Sequence, residues 1–241
     1  MPYRALFLAL GGFAAELSQY SRQDYWDSSY RDGTYNESYD WFFGWKPSGA
    51  KDNGGMLELL TQAGVNSSSA ILHIGCGNSQ ISEGLWQDGF VNVTHLDISE
   101  VVIQQMSAKL NFTNHTFVVG DITDLVFDAG TFDVILDKGA LDAVFSAGKR
   151  AARKAIQEIA RVLRPRNGLY IMVSYAEPSR RLVDLESAHL PLSRVATEGE
   201  SRLLTCNSRP VSNNSRARHH AYICRRLAFT PGHSDGAREE L

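Results

Sequence analysis

Residues Ile71 to Ser82 read ILHIGCGNSQIS, and how they are read decides the fold. A short apolar run breaks into Gly75-Cys76-Gly77 and then at once into polar residues. Glycines placed there let the backbone turn sharply, and let a ligand approach where a Cβ would stand in the way. A dinucleotide fingerprint wants a third glycine three residues on, with a pyrophosphate at the following helix N-terminus. That position is Gln80. A P-loop needs Gly-Lys-Ser/Thr, which this stretch does not have. Three readings stay open here: a tight strand-to-helix turn, a phosphate cradle, or the floor of a cofactor site.

Working outward, the pattern alternates. Ala70 to Gly75 reads as a short buried strand, Gln80 to Asp88 as a helix, Val93 to Leu96 as a strand and Ser99 to Leu110 as a helix. His115 to Val119 is strand-like. Phe132 to Leu136 is apolar nearly throughout, as in a strand covered on both faces. Lys149 to Leu163 places Ala152, Ile156, Ile159, Ala160 and Leu163 at helical spacing, and RPRNG ends that helix before a strand at Leu169 to Tyr175. Strands alternating with helices predict βαβ units and a parallel sheet, and the right-handed crossover leaves a doubly wound α/β sandwich. Before this block, KPSGAKDNGG reads as a loop leading to a helix at Met56 to Ala63. After it, Leu182 to Leu192 reads as helix and loop, Arg202 to Cys206 as a strand, NSRPVSNNSRAR (207–218) as a polar loop and HHAYICRR (219–226) as a strand.

Carboxylates fall where such a sheet binds ligands, outside the carboxyl ends of its strands. Asp97 ends the second strand about 20 residues past the glycines, where an acid can hold both ribose hydroxyls. Ser99 suits the N-cap of the next helix better than Asp97 does. Asp121 follows the third strand, where it can accept from an exocyclic amine. Asp137, Lys138 and Asp142 cluster at the end of the fourth, at the topological switch point.

Bulk properties set the frame. The 241 residues are 43% hydrophobic and 21% charged, ordinary globular values that favour one large domain. A net charge of −3 gives no overall basic field for nucleic acid. Local arginines gather late (Arg202, Arg209, Arg216, Arg218, Arg225, Arg226), and HHAYICRR lacks the aromatic interleaving that would add to a nucleic-acid case. Cys76, Cys206 and Cys224 are scattered and odd in number, so neither a disulfide framework nor a zinc site is expected, and a reducing compartment is the default. His115, His219 and His220 lack metal-ligand spacing and read as structural, so no metal is expected. MPYRALFLALGGFAAEL has the outline of a signal peptide or of a buried N-terminal segment, and is too short to span a membrane. Triplets at Asn66, Asn92 and Asn114 would matter only in a secreted chain. The expected compartment is the cytoplasm, with mitochondrial or secretory targeting as the alternative. No membrane association is expected, and a monomer is.

The motifs ILHIGCGNS, HLDIS, GDITDL, FDVILDKGALDA and EIARVLRPRNGLYIMVS, in this order, resemble the class I S-adenosylmethionine-dependent methyltransferases. More narrowly they resemble the group of the lysine methyltransferases of elongation factor 1-alpha and citrate synthase, in which Gly-Cys-Gly-Asn-Ser and Asp-Lys-Gly-Thr-Leu-Asp are distinctive. YWDSSY…YDWFFGW resembles that group's N-terminal segment, which closes over the cofactor, and HHAYICRR its last strand. Two positions depart: His73 stands where many of these enzymes carry an acid, and Ala140 replaces the threonine.

The resemblance implies a Rossmann-like seven-stranded, mostly parallel sheet with helices on both faces and an antiparallel last strand. It implies three regions: a segment and cofactor lid at 1–50, a methyltransferase domain at 51–226, and a disordered tail at 227–241. For S-adenosyl-L-methionine it implies contacts from Gly75, Cys76, Gly77, Asn78 and Ser79 under the methionine part. Asp97 and Ile98 would serve the ribose, and Asp121 and Ile122 the adenine. Asp137 and Lys138 would lie near the sulfonium, and Trp26, Tyr30 and Trp41 would form walls. Asp137 would also be catalytic, orienting the incoming amine. The acceptor implied is a protein lysine, with elongation factor 1-alpha as the partner. A small-molecule acceptor and a non-catalytic binding module are the competing readings.

Overall fold

The computed structural model describes residues 18–35, 38–47, 55–110, 112–188, 203–211 and 219–227. Seven strands form one sheet in the order β3-β2-β1-β4-β5-β7-β6. They are β1 (Ile71–Ile74), β2 (Val93–Asp97), β3 (His115–Val119), β4 (Val134–Lys138), β5 (Leu169–Ser174), β6 (Leu204–Pro210) and β7 (His220–Arg226). The first five run parallel, and β7 lies antiparallel between β5 and β6. The expected mostly parallel sheet with an antiparallel last strand is therefore observed.

The helices are α1 (Gln23–Arg31), α2 (Met56–Gln62), α3 (Ile81–Gln87), α4 (Glu100–Lys109), α5 (Ala140–Phe145), α6 (Lys149–Val162) and α7 (Pro178–Glu186). β4 and β5 are buried along their whole length, as their apolar runs require when both faces are covered. On one face Leu72, Ile135 and Met172 pack with Ala152, Ile156 and Ile159 of α6. On the other, Ile71, Leu136 and Ile171 pack with Leu59 and Leu60 of α2 and Leu85 of α3. Each fully buried Ile or Leu stabilises the sandwich by roughly 1.5–3 kcal/mol relative to exposure. Ser99 caps α4, its Oγ accepting from Val102 N at 3.3 Å.

Several expectations need correction. The helix placed at Leu182 starts at Pro178, because proline at N1 has its φ preset and no N–H to lose; residues 189–192 lie outside the described residues. β6 continues to Pro210, into sequence that reads as a polar loop. It is an edge strand, where one side faces solvent and a terminal proline is tolerated. Cys206 and Cys224 are disulfide-bonded, against the expectation of unpaired cysteines. They are register partners across β6 and β7, an adjacency that 18 residues of separation conceal. The signal-like segment at 1–17 and the tail from 228 onward lie outside the described residues.

Candidate functional site

A cavity of about 930 Å³ opens at the carboxyl edge of the sheet. Its floor is the turn after β1. Gly75 and Gly77 have φ of +57° and +51°, which L side chains rarely adopt. A Cβ on Gly75 would sit 2.5 Å from Ala140 Cβ, and one on Gly77 would sit 2.9 Å from Tyr30 Oη. Both glycines are thus required by conformation and by close approach. Cys76, Ser79 and Ile98 also line the cavity.

Asp97 stands beside this turn. One carboxylate oxygen accepts from Gly77 N and the other from Ser99 N, both at 2.9 Å. Burial pushes it up to about 6, against the opposing effect of those hydrogen bonds. Asp121 is exposed, accepts from Thr123 N at 2.7 Å, and lines the cavity with Ile122.

The polar half of the glycine motif holds the N-terminal segment. Asn78 does not line the cavity: its Nδ2 donates to Tyr35 O at 2.9 Å, and its Oδ1 accepts from Tyr39 N at 3.2 Å. Ser79 Oγ donates to Asp40. Lys138 Nζ donates to Asp40 Oδ1 at 2.7 Å and to Trp41 O at 2.9 Å. Asn78, Ser79 and Lys138 together fasten residues 35–41 over the turn. Burial lowers the Lys138 ammonium while Asp40 supports its charge. Trp26 and Tyr30 of α1 and Trp41 of the fastened segment line the cavity, and Phe42 packs edge-on to Tyr175 at 4.4 Å.

Asp137 lies behind the cavity wall. Its carboxylate is fully buried and does not line the cavity. It accepts from Tyr170 Oη at 2.6 Å and from the backbone N–H groups of Ala140 and Leu141 at the start of α5. Burial raises it to about 7 despite these donors. Side chains alternate along a strand, so of the neighbours Asp137 and Lys138 only one can turn toward the cavity face.

Asp142, in the first turn of α5, does line the cavity. It accepts from Ser174 Oγ at 2.6 Å, Arg181 at 2.7 Å and Tyr175 N at 3.1 Å. Burial raises it and Arg181 opposes the rise. Arg181 itself lies 3.8 Å over the Phe145 ring. Asp40, Phe42, Tyr175 and Arg181 were not singled out in the sequence; they reach the site only through packing of segments distant in the chain. His73 lines the cavity as well. No group of three or more His, Cys, Asp or Glu among the described residues is placed to hold a metal. No helix among the described residues is long and apolar enough to cross a membrane.

A doubly wound sheet with a cavity at its carboxyl edge, floored by a glycine turn beside a strand-end acid, defines a nucleoside-cofactor-binding α/β protein. The methyltransferase-domain family model matches residues 72–172. EEF1A lysine methyltransferase 4 of Bos taurus is 32% identical over 192 residues, which is 75% of this chain and 71% of that protein. The eEF1A lysine and N-terminal methyltransferase of Xenopus laevis is 34% identical over 66% of this chain, which spans only 22% of that protein. In fold, the chain superimposes with a TM-score of 0.59 on Burkholderia thailandensis 1,6-didemethyltoxoflavin-N1-methyltransferase with bound S-adenosylhomocysteine. That match has 17% identity and covers 92% of each chain. The chain belongs to the class I S-adenosylmethionine-dependent methyltransferases, in the group of the eEF1A lysine methyltransferases.

The residues fit the cofactor. Gly75, Cys76 and Gly77 bring the turn's backbone to the cavity with no room for further side chains at the two glycines, and Asp97 is a buried acceptor on the cavity wall. When bound, the sulfonium supplies the activated methyl group, which leaves positioning and exclusion of water to the protein.

Proposed function

We propose that this methyltransferase acts on a lysine side chain of a protein such as elongation factor 1-alpha. The observation that carries the reading is the 32% identity to EEF1A lysine methyltransferase 4 over 71% of that protein's length. The cavity supports it chemically. A lysine amine must be neutral to attack, and near pH 7.4 populating that form costs about 4 kcal/mol. Trp41, Phe42 and Tyr175 enclose an apolar approach that lowers this cost by disfavouring the ammonium. With Asp137 turned away, Asp142 is the acid that would orient the incoming amine, its own position fixed by Ser174 and Arg181. Asp97 and Asp121 take the ribose and adenine roles in this proposal, and residues 18–47 that of the lid.

The test is incubation of the protein with labelled S-adenosyl-L-methionine and, in separate reactions, purified elongation factor 1-alpha or a cell extract, followed by mass spectrometry of the labelled species. Methylation at one lysine is the expected result. Label appearing only in small molecules of a cell extract would overturn the protein-substrate reading. Under the proposal, Asp142→Asn lowers kcat at least tenfold while the affinity for S-adenosylhomocysteine changes less than about threefold.

A further inference from the structure

Three histidines run in single file through the sheet from the cavity toward its β3 edge. His73 of β1 and His95 of β2 are register partners, with Nδ1 to Nδ1 at 3.2 Å. His95 Nε2 lies 3.0 Å from His115 Nδ1, and His115 Nε2 lies 2.8 Å from Phe90 O. His73 and His95 are buried, and His115 is half-buried.

This geometry fixes where the protons sit. A carbonyl oxygen only accepts, so His115 Nε2 must carry a hydrogen. A neutral His115 then has its lone pair on Nδ1, and His95 Nε2 must donate to it. His95 Nδ1 is left as an acceptor, shared by Ser82 Oγ at 3.2 Å and by His73, whose Nδ1 must therefore be the donor. The last free lone pair in the chain is on His73 Nε2, and His73 lines the cavity two residues before the glycine turn.

We infer that the chain His115–His95–His73 locks one tautomer and presents the Nε2 lone pair of His73 as the acceptor for the α-ammonium group of the cofactor's methionine part. This rests on the cofactor assignment above. Burial and the neighbouring Lys138 ammonium hold His73 down to about 3, with Asp40 weakly opposing. His95 is held well below its ordinary value, chiefly by burial. Rings so weakly basic cannot take a proton from an amine, which excludes a proton relay and leaves a neutral acceptor.

Two measurements test this. Long-range proton–nitrogen NMR of the unmodified protein at pH 7 should show His73 protonated on Nδ1, and His95 and His115 on Nε2. A proton on His73 Nε2 would overturn the inference whatever any variant does. Calorimetry then compares S-adenosylhomocysteine with 5′-methylthioadenosine, which lacks the amino-acid part. His73→Leu should weaken the first about tenfold, the loss of one charge-assisted hydrogen bond. It should leave the second within about twofold, and His73→Gln should recover part of the loss. Equal weakening of both ligands would mean that His73 only supports the fold. Failure of the unmodified protein to bind either would strike the cofactor assignment instead.

Discussion

At the scale of single residues, two strand-end acids are buried at a cost that pH exposes. Asp137 is raised from 3.8 to about 7 and Asp97 to about 6, burial outweighing their hydrogen bonds in both. Between about pH 4 and pH 7 the folded protein thus holds protons that the unfolded chain has released, so these groups make stability fall as pH rises. For Asp137 the full effect is on the order of 4 kcal/mol. Denaturant titrations of the parent and Asp137→Asn across this range isolate it. The parent's advantage over the variant should shrink from pH 4 to pH 7, and a flat difference would mean that Asp137 is not raised. The sequence made the acids legible but not their directions. Period-two alternation, applied to Asp137-Lys138, tells that only one can face the ligand, and only the packed sheet shows that it is Lys138. His73 and His95 could have been paired from the sequence, since each stands third in its strand.

Among the elements, the N-terminal segment is held to the sheet by few but well-buried contacts. The Asp40–Lys138 pair has side chains 17% and 4% exposed, and Asp27 of α1 accepts from Ser99 Oγ at 2.6 Å at the start of α4. Asp40→Ala leaves a buried ammonium without its counter-charge, a loss of about 3 kcal/mol. A urea midpoint should fall accordingly, and Lys138→Met in the same background should recover part of it. The Cys206–Cys224 bond closes the β6–β7 edge. With three cysteines in the chain, one thiol should react in denaturant without reductant, and three after reduction. Cys206→Ser should lower stability by about 3 kcal/mol. Three reactive thiols before reduction would show the bond to be unformed in solution. The central elements were legible because long apolar runs and helical spacing leave one assignment. α1 and α5 were not: α1 is masked by its aromatic content, and α5 is six residues long, begun by Gly139 at φ +91°.

For the whole molecule, the lid proposal makes cofactor binding and closure of the N-terminal segment one event. The cavity wall is shared: Trp26, Tyr30 and Trp41 come from the segment, Asp97 from the end of β2, and Gly75 and Ile122 from the turns after β1 and β3. A ligand filling that space contacts both, so it must stabilise the fold globally and suppress local opening of the segment. At a hundredfold excess over its Kd, S-adenosylhomocysteine contributes about 2.7 kcal/mol, a rise in Tm of roughly 5–10 °C for a chain of this size. Asp97→Asn keeps only one of the two acceptor oxygens that Gly77 N and Ser99 N use and loses charge toward the ribose, so its own Tm should fall and the ligand-induced rise should shrink as well. Trypsin reports the segment separately, because Arg22 and Arg31 are exposed at the two ends of α1. If the segment is a lid, ligand should slow cleavage after Arg31 by at least the factor by which it slows cleavage elsewhere. A raised Tm with cleavage at Arg31 unchanged would separate the two events. It would reduce residues 18–47 to a fixed wall rather than a closing one.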